Sequence, residues 1–429
     1  MKESLMTTST SCYSGETLTH YRDRTGFPRT RLAYLLGISP RSLGRWEARG
    51  GVILRSLSMK EYQMSQVQEN EEFLSSQLIT YLGNKRTLVP LISEGLEMVK
   101  LRLRKEKIVS LDLFSGSGVV ARLFKQSSSL VIANDLEGYS KVINSCYLTN
   151  MGVVPKELKS YFDSIRQGAA SSVKPGFFRE LYSPQDMEKV QQGERCFYTP
   201  RNAEYLDTVR QLIDQAPAEL QNFFLAPLLA EASVHVNTSG VFKGFYKNME
   251  GVGQFGGTAR NALQRICSNI ELNFPVFSNF ECDSEVYQQD ANQLVDSLGE
   301  VDVAYLDPPY NQHPYGSNYF MLNLLVEYHK PQVISKVSGI PKGWNRSNYN
   351  KKTEALKSLK ELVEKTKAKF LMISFSDDGF ISKEEMVRML SPIGALTILN
   401  KKYNTFRGGK NLNARDTHVM EYLYIVEKS

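Results

Sequence analysis

The most specific chemistry in this chain lies in four consecutive residues, Asp307, Pro308, Pro309 and Tyr310. They follow Glu300-Val301-Asp302-Val303-Ala304-Tyr305-Leu306, an apolar, valine-rich run of strand length. Neither proline can donate a ladder hydrogen bond, so the strand must stop there. Asp307 and Tyr310 are thereby delivered to the carboxyl end of a strand, where open α/β sheets keep their ligands. These residue types suit alkylation of an amino group conjugated to an aromatic ring. Such an amine is a poor nucleophile because its lone pair is delocalised. The Asp307 carboxylate and the Pro308 carbonyl can both accept from the NH2, holding nitrogen towards tetrahedral geometry with its lone pair aimed at an electrophilic methyl. Pro309 stiffens the turn, so the acceptors are preorganised. Tyr310 offers a flat face for a stacked base. The plainer reading is a strand stop that happens to hold an Asp and a Tyr, and the remaining chain decides between them.

Two further stretches could bind a cofactor. In Ile79-Thr80-Tyr81-Leu82-Gly83-Asn84-Lys85-Arg86, a Gly-Asn turn leads into an amphipathic helix reaching about Lys107. Lys85 then sits at a helix N-terminus, where dipole and ammonium both favour an anion. An ordinary loop would look the same. Ile108 to Phe114 reads as a buried strand ending in Asp112-Leu113-Phe114-Ser115-Gly116-Ser117-Gly118, with a helix from Val119. Glycines at such a turn let the backbone approach a ligand closely. A second strand, Leu130 to Asn134, ends at Asp135, at the interval expected for a carboxylate that binds ribose hydroxyls. The combination fits a dinucleotide as well as S-adenosylmethionine.

The 429 residues allow two or three domains and a sizeable core. The net charge of +6 and pI near 8.8 permit a polyanionic partner. The longest apolar stretch, Phe223 to Val236, contains Glu231 and His235 and is too short to span a bilayer. The N-terminus lacks a basic-then-apolar signal pattern, so a cytoplasmic protein is expected. Cys12, Cys146, Cys196, Cys267 and Cys282 are widely spread and form no CxxC pair, and the His residues show no ligand spacing. Neither a disulfide framework nor a metal site is expected.

Residues 1 to 21 are Ser/Thr-rich and are expected to be disordered. From Arg22 to Arg55 eight arginines face only Asp23 and Glu47. Within this stretch Leu32, Leu35 and Leu36 share a helical face, Gly37 suits a tight turn, and Ser39-Pro40 would open a second helix. The pattern resembles the helix-turn-helix of phage-repressor-type DNA binders, with Arg41 and Arg45 on the exposed face. A small helical hairpin with solvated arginines is the blander alternative. Between about Met151 and Asn279 helical patterns at Ala203 to Gln215 and Pro217 to Val236 precede a Gly-punctuated stretch, Asn237 to Lys247, with aromatics and lysines interleaved. Loops that hug the backbone and carry Lys243, Lys247, Arg260 and Arg265 suit phosphates, and Asn237, Lys243 or Lys247 could reach base edges. A charged helix at Lys352 to Lys367 reads as a solvated face. Phe370 to Phe375 reads as a buried strand, and Leu396 to Tyr403 with Val419 to Val426 as a closing hairpin. Its basic loop, with Lys401, Arg407 and Lys410, would grip the strand beside an extruded base.

In order, Tyr81 to Arg86, Phe114 to Gly118, Asn134-Asp135 and Asp307 to Tyr310 resemble the motifs of the Dam-like, alpha-class adenine-specific DNA methyltransferases. Asn311 to Tyr319, Ile373 to Phe380 and Tyr403 to Gly409 are similar to the type IIS restriction-modification methylases of that class. The resemblance covers about residues 77 to 429. It implies that Tyr81 and Lys85 contact S-adenosylmethionine, Lys85 at its carboxylate. Phe114, Ser115 and Gly116 would line the methionine portion, and Asp112 and Gly118 belong to the same cofactor-binding motif. Asp135 would hold the ribose. Asp290 would accept from the cofactor's adenine amine, although Asp283 and Asp296 lie nearby. It also implies that a target-recognition region interrupts the cofactor fold between the Asp135 motif and the catalytic strand.

The expected architecture is a Rossmann-like, seven-stranded α/β methyltransferase core, residues 77–150 and 280–429. A mainly helical target-recognition insert at 151–279 and a helix-turn-helix segment with linker at 22–76 complete it. The expected reaction is direct methyl transfer from S-adenosylmethionine to adenine N6 in double-stranded DNA, as the protective methylase of a restriction-modification system with a cognate endonuclease as partner. No Pro-Cys dipeptide is present, which argues against cytosine C5 chemistry. Cytosine N4 methylation poses the same chemical problem and is the nearest rival. A DNA-binding regulator with a vestigial cofactor fold is the alternative from another class.

Overall fold

The structure, a computed structural model, describes residues 68–404 apart from 261, residues 418–429, and two short strands near the N-terminus. Contacts divide the chain into two units, Met1–Gln68 and Glu69–Ser429. In the first unit β1 (Glu16–Thr17) pairs antiparallel with β2 (Val52–Ile53). Of the tail expected to be disordered, only Glu16 and Thr17 lie among the described residues. The anticipated helix-turn-helix, with Arg41 and Arg45, lies outside the described residues, as do Arg407 and Lys410.

The second unit is built on a seven-stranded sheet: β3 (Ile108–Asp112), β4 (Ser128–Asp135), β5 (Asp283–Gln288), β6 (Val301–Leu306), β7 (Ala368–Ser376), β8 (Gly394–Asn404) and β9 (His418–Lys428). The spatial order is β5-β4-β3-β6-β7-β9-β8. The first five run parallel, and β9 enters antiparallel between β7 and β8. Every residue of β6 is buried, as befits a central parallel strand covered on both faces. β5 has no counterpart in the expected elements. Asp-Ser-Glu-Val-Tyr-Gln is an edge strand with mostly exposed side chains, so it carries no apolar alternation to be recognised.

One face of the sheet packs against the helices Ala291–Ser297, Lys352–Lys365 and Lys383–Leu390, burying Leu111, Ala304, Ile373 and Val426 with Leu294, Leu359 and Met386. Over the other face the helix Val89–Leu103 approaches closely at Gly95, where an added methyl would meet Leu423, Met372 and Ile425. The insert is helical, with Leu158–Ser171, Phe177–Tyr182, Pro200–Ile213 and Gln221–Val234 as its main elements. These helices share one buried cluster with Gly138–Tyr147 and Phe320–Glu327. The insert is therefore welded to the sheet unit by hydrophobic contact.

Candidate active site

The carboxyl ends of β3, β4, β5, β6 and β7 meet at one edge of the sheet, and the start of antiparallel β9 joins them there. Asp307 leaves β6 at this edge with its side chain 16% exposed. Its Oδ1 lies 3.0 Å from Lys85 Nζ, and Glu421 Oε1 lies 3.7 Å from the same ammonium. Burial alone would lower the lysine's pKa, but Asp307 and Glu421 outweigh it and hold it well above the ordinary value. Burial raises the Asp307 carboxyl, with Lys85 acting against the rise. Tyr310 packs edge-on against Phe375 and carries the Lys85 ammonium 5.5 Å from its ring centre. Its carbonyl accepts from Phe380 N–H at 2.9 Å, which fixes the end of the turn.

A pocket opens beside Asp307 and Pro309, walled by Tyr81, Phe114, Asp135, Glu137, Asp290, Tyr315 and Tyr349. Gly116 has φ +50°, and a methyl there would press on the Tyr81 ring, so the glycine loop lies flush against that ring. Tyr81 stacks on both Tyr315 and Tyr319, at 4.9 and 4.8 Å, and those two rings stack on each other at 5.9 Å. Leu82 N–H donates to the Tyr319 hydroxyl, and the Tyr315 hydroxyl donates to the Leu82 carbonyl. Asp135 accepts from Gly116 N–H at 2.8 Å and Glu137 N–H at 2.9 Å. Burial still pushes its carboxyl up to about 6. Glu137 is 3% exposed, and burial pushes it up to about 7 although the Asn323 and Asn345 amides both donate to Oε2. Asp290 caps the helix Ala291–Ser297 by accepting from Asn292 and Gln293 N–H.

Residues 81–389 match the family described as D12 class N6 adenine-specific DNA methyltransferases. The chain belongs to that family. Among its relatives is a type II methyltransferase of Neisseria lactamica, M.NlaIII, 28% identical over 82% of this chain and 100% of that protein. The type II methyltransferase M.CviAII of Paramecium bursaria Chlorella virus 1 is 28% identical over 81% of this chain and 98% of its own length. M.FokI of Planomicrobium okeanokoites is 24% identical over 81% of this chain but only 52% of that longer protein. Membership in an adenine-N6 family decides against the cytosine-N4 alternative.

In this D12-class enzyme the expected residues fall into three groups. Tyr81, Phe114, Asp135, Asp290, Asp307 and Pro309 line one pocket. Asp112, Ser115, Gly118 and Pro308 are buried in the adjoining strand ends and turns, and Ser115 donates to the Asp112 carbonyl. Lys85, expected at a cofactor carboxylate, lies against Asp307 and Glu421, the counter-charges a buried ammonium needs. Of the DNA-facing group, Lys243 and Lys247 are exposed, the latter with Nζ 5.1 Å from the Phe245 ring centre. Lys401 donates to the Thr87 carbonyl at 2.8 Å. Asn237, offered as a base reader, is fully buried and spent on Cys196 and Gln254 carbonyls and on Gly256 N–H. Arg265 is likewise spent, on the carbonyls of Val234, Val236 and Thr238. Glu137, Tyr315, Asn345, Tyr349 and Glu421 were not anticipated. Glu137 follows Asp135 by two residues and was the one with a local signal.

Proposed function

We propose that this chain transfers a methyl group from S-adenosylmethionine to N6 of a flipped adenine in double-stranded DNA, with Asp307, Pro308 and Tyr310 around the base. The lining suits that cofactor: the glycine loop lies against the Tyr81 ring that walls the pocket, and Asp135 and Glu137 present carboxylates to it. Tyr81, Phe114, Asp135, Glu137 and Asp290 would hold it. When bound, it supplies an electrophilic methyl on a cationic sulfur. Asp307 and the Pro308 carbonyl accept from the adenine NH2 and free its lone pair, while Tyr310 stacks on the extruded base at about 1–3 kcal/mol. Once N6 carries the methyl it would have to give up one proton, which the Asp307 carboxylate would accept. Exposed Lys243 and Lys247 supply phosphate contacts, joined by Arg41, Arg45, Lys401, Arg407 and Lys410. The relatives' names support a protective role beside a type II endonuclease.

The observation that carries the reading is Asp307, at the carboxyl end of a fully buried strand, opening on the same pocket as Tyr81 and Asp135. In single-turnover methylation with labelled cofactor, Asp307→Ala keeps DNA and cofactor affinity but loses nearly all rate, since its bonds strengthen in the transition state. Near-normal turnover would refute the assignment. Long-read sequencing of plasmid from expressing cells reads out the modified base and its sequence; no N6-methyladenine there would leave the vestigial regulator standing.

A further inference from the structure

Glu421 lies outside the matched segment 81–389, on a strand contributed from far along the chain. It is 4% exposed, and its Oε2 has no hydrogen-bond partner among the described residues. Such a group is costly to keep without a task. Its placement is deliberate in the sheet: Asp377 N–H donates to the Met420 carbonyl, and Met420 N–H donates to Asp377 Oδ1, both at 3.1 Å. That reciprocal pair pins the start of β9 to the end of β7, with Glu421 opposite Ser376. Lys401, directly across the ladder from Glu421, turns to Thr87 instead. Tyr305, Tyr310, Asp377 and Asp378 are the other titratable groups acting on Lys85 and Glu421. Burial raises the Glu421 carboxyl, and Lys85 opposes that rise.

We propose that Glu421 is a positioning residue for methyl transfer, acting through Lys85 to give the Lys85–Asp307 pair the net negative charge that the reaction needs. The inference rests on the reading of Asp307 given above. During transfer, positive charge moves from sulfur towards N6, and so towards Asp307. An isolated Lys85–Asp307 pair presents no net charge to it, because the ammonium cancels the carboxylate. With Glu421 ionised on the far side of Lys85, the group of three carries one negative charge. Lys85 can then orient Asp307 without opposing the migrating charge. The effect belongs to the transition state and not to binding.

The test is single-turnover methylation at saturating cofactor and DNA, with affinities measured separately. Glu421→Gln keeps shape and removes charge; the rate should fall roughly 10- to 100-fold, with cofactor and DNA affinities within about twofold. Glu421→Asp keeps the charge and should stay within about fivefold of the parent, which also serves if the glutamine variant folds poorly. Lys85→Met should cost less in the Glu421→Gln background than in the parent, since the two act through one another. A parental rate for Glu421→Gln, equal damage from Gln and Asp, or strict additivity with Lys85→Met would each overturn the proposal. Asp307→Asn separates the two ideas: if it retains its rate, the reading of Asp307 fails, whereas a dead Asp307→Asn beside a parental Glu421→Gln sinks this inference alone.

Discussion

Glu137 shows how a pocket carboxylate acts on the protein that carries it. Its ordinary value of 4.5 rises to about 7 in the fold. The folded state thus holds the proton more tightly than the unfolded chain, so stability falls as pH climbs from 4.5 to about 7 and stays lower above it. Glu137→Gln, whose oxygen can still accept from Asn323 and Asn345, removes that penalty. The cofactor-free variant should exceed its parent by up to about 3 kcal/mol at pH 8 and match it near pH 4.5, checked by thermal unfolding at both values. If Glu137 accepts from ribose hydroxyls, the same change weakens cofactor binding in calorimetry. At Tyr310, Phe should be mild because a ring remains, while Ala should impair base extrusion as well as rate, read by 2-aminopurine fluorescence at the target position. Asp307 and Tyr310, just past the end of β6, and Asp135, at the end of β4, could be read from the sequence because a strand end places them. Glu137 needed Asn323 and Asn345, and Glu421 needed a strand pairing, and neither pairing leaves a mark in local composition.

At the level of elements, Gly316 deserves a test of its own. A methyl there would fall 2.5 Å from the Asn345 carbonyl oxygen and 2.9 Å from its nitrogen, and backbone cannot give way as a side-chain tip can. Asn345 in turn donates to the Leu136 carbonyl and Glu137. Gly316→Ala should therefore push the 345–350 strip off the pocket and lower cofactor affinity about tenfold or more, with the sheet intact by far-UV circular dichroism. Unchanged affinity would mean that this strip does not shape the site. Expected helix limits missed by a turn where a cap decides them. The helix anticipated at Ala203 begins at Pro200, behind the Thr199 side chain that accepts from Asn202 N–H. The Thr-Pro pair marks that start in the sequence, whereas the apolar periodicity begins only at Ala203.

On the scale of the molecule, Glu69–Ser429 has its own contacts and its own core. A truncation beginning at Glu69 should fold cooperatively and retain methyl transfer at low salt. If residues 22–55 contact phosphates, it should also show a flatter salt dependence, the log–log slope dropping by about 0.9 for each lost contact. The modified sequence should stay the same, and a changed one would give the N-terminal unit a share in reading it. The α/β class and the interrupted layout were legible from the order of motifs; the sharing of one hydrophobic cluster by the insert and the helices over the sheet was not, because burial partners are a property of the assembled chain. The truncation has a practical use as well. Of the two tryptophans, Trp46 and Trp344, it keeps only Trp344, whose ring lies 4.2 Å from the Arg346 guanidinium, on either side of Asn345. A single indole beside the pocket wall is a built-in optical probe: its emission should change on titration with S-adenosylmethionine, and a Gly316→Ala background should blunt that change.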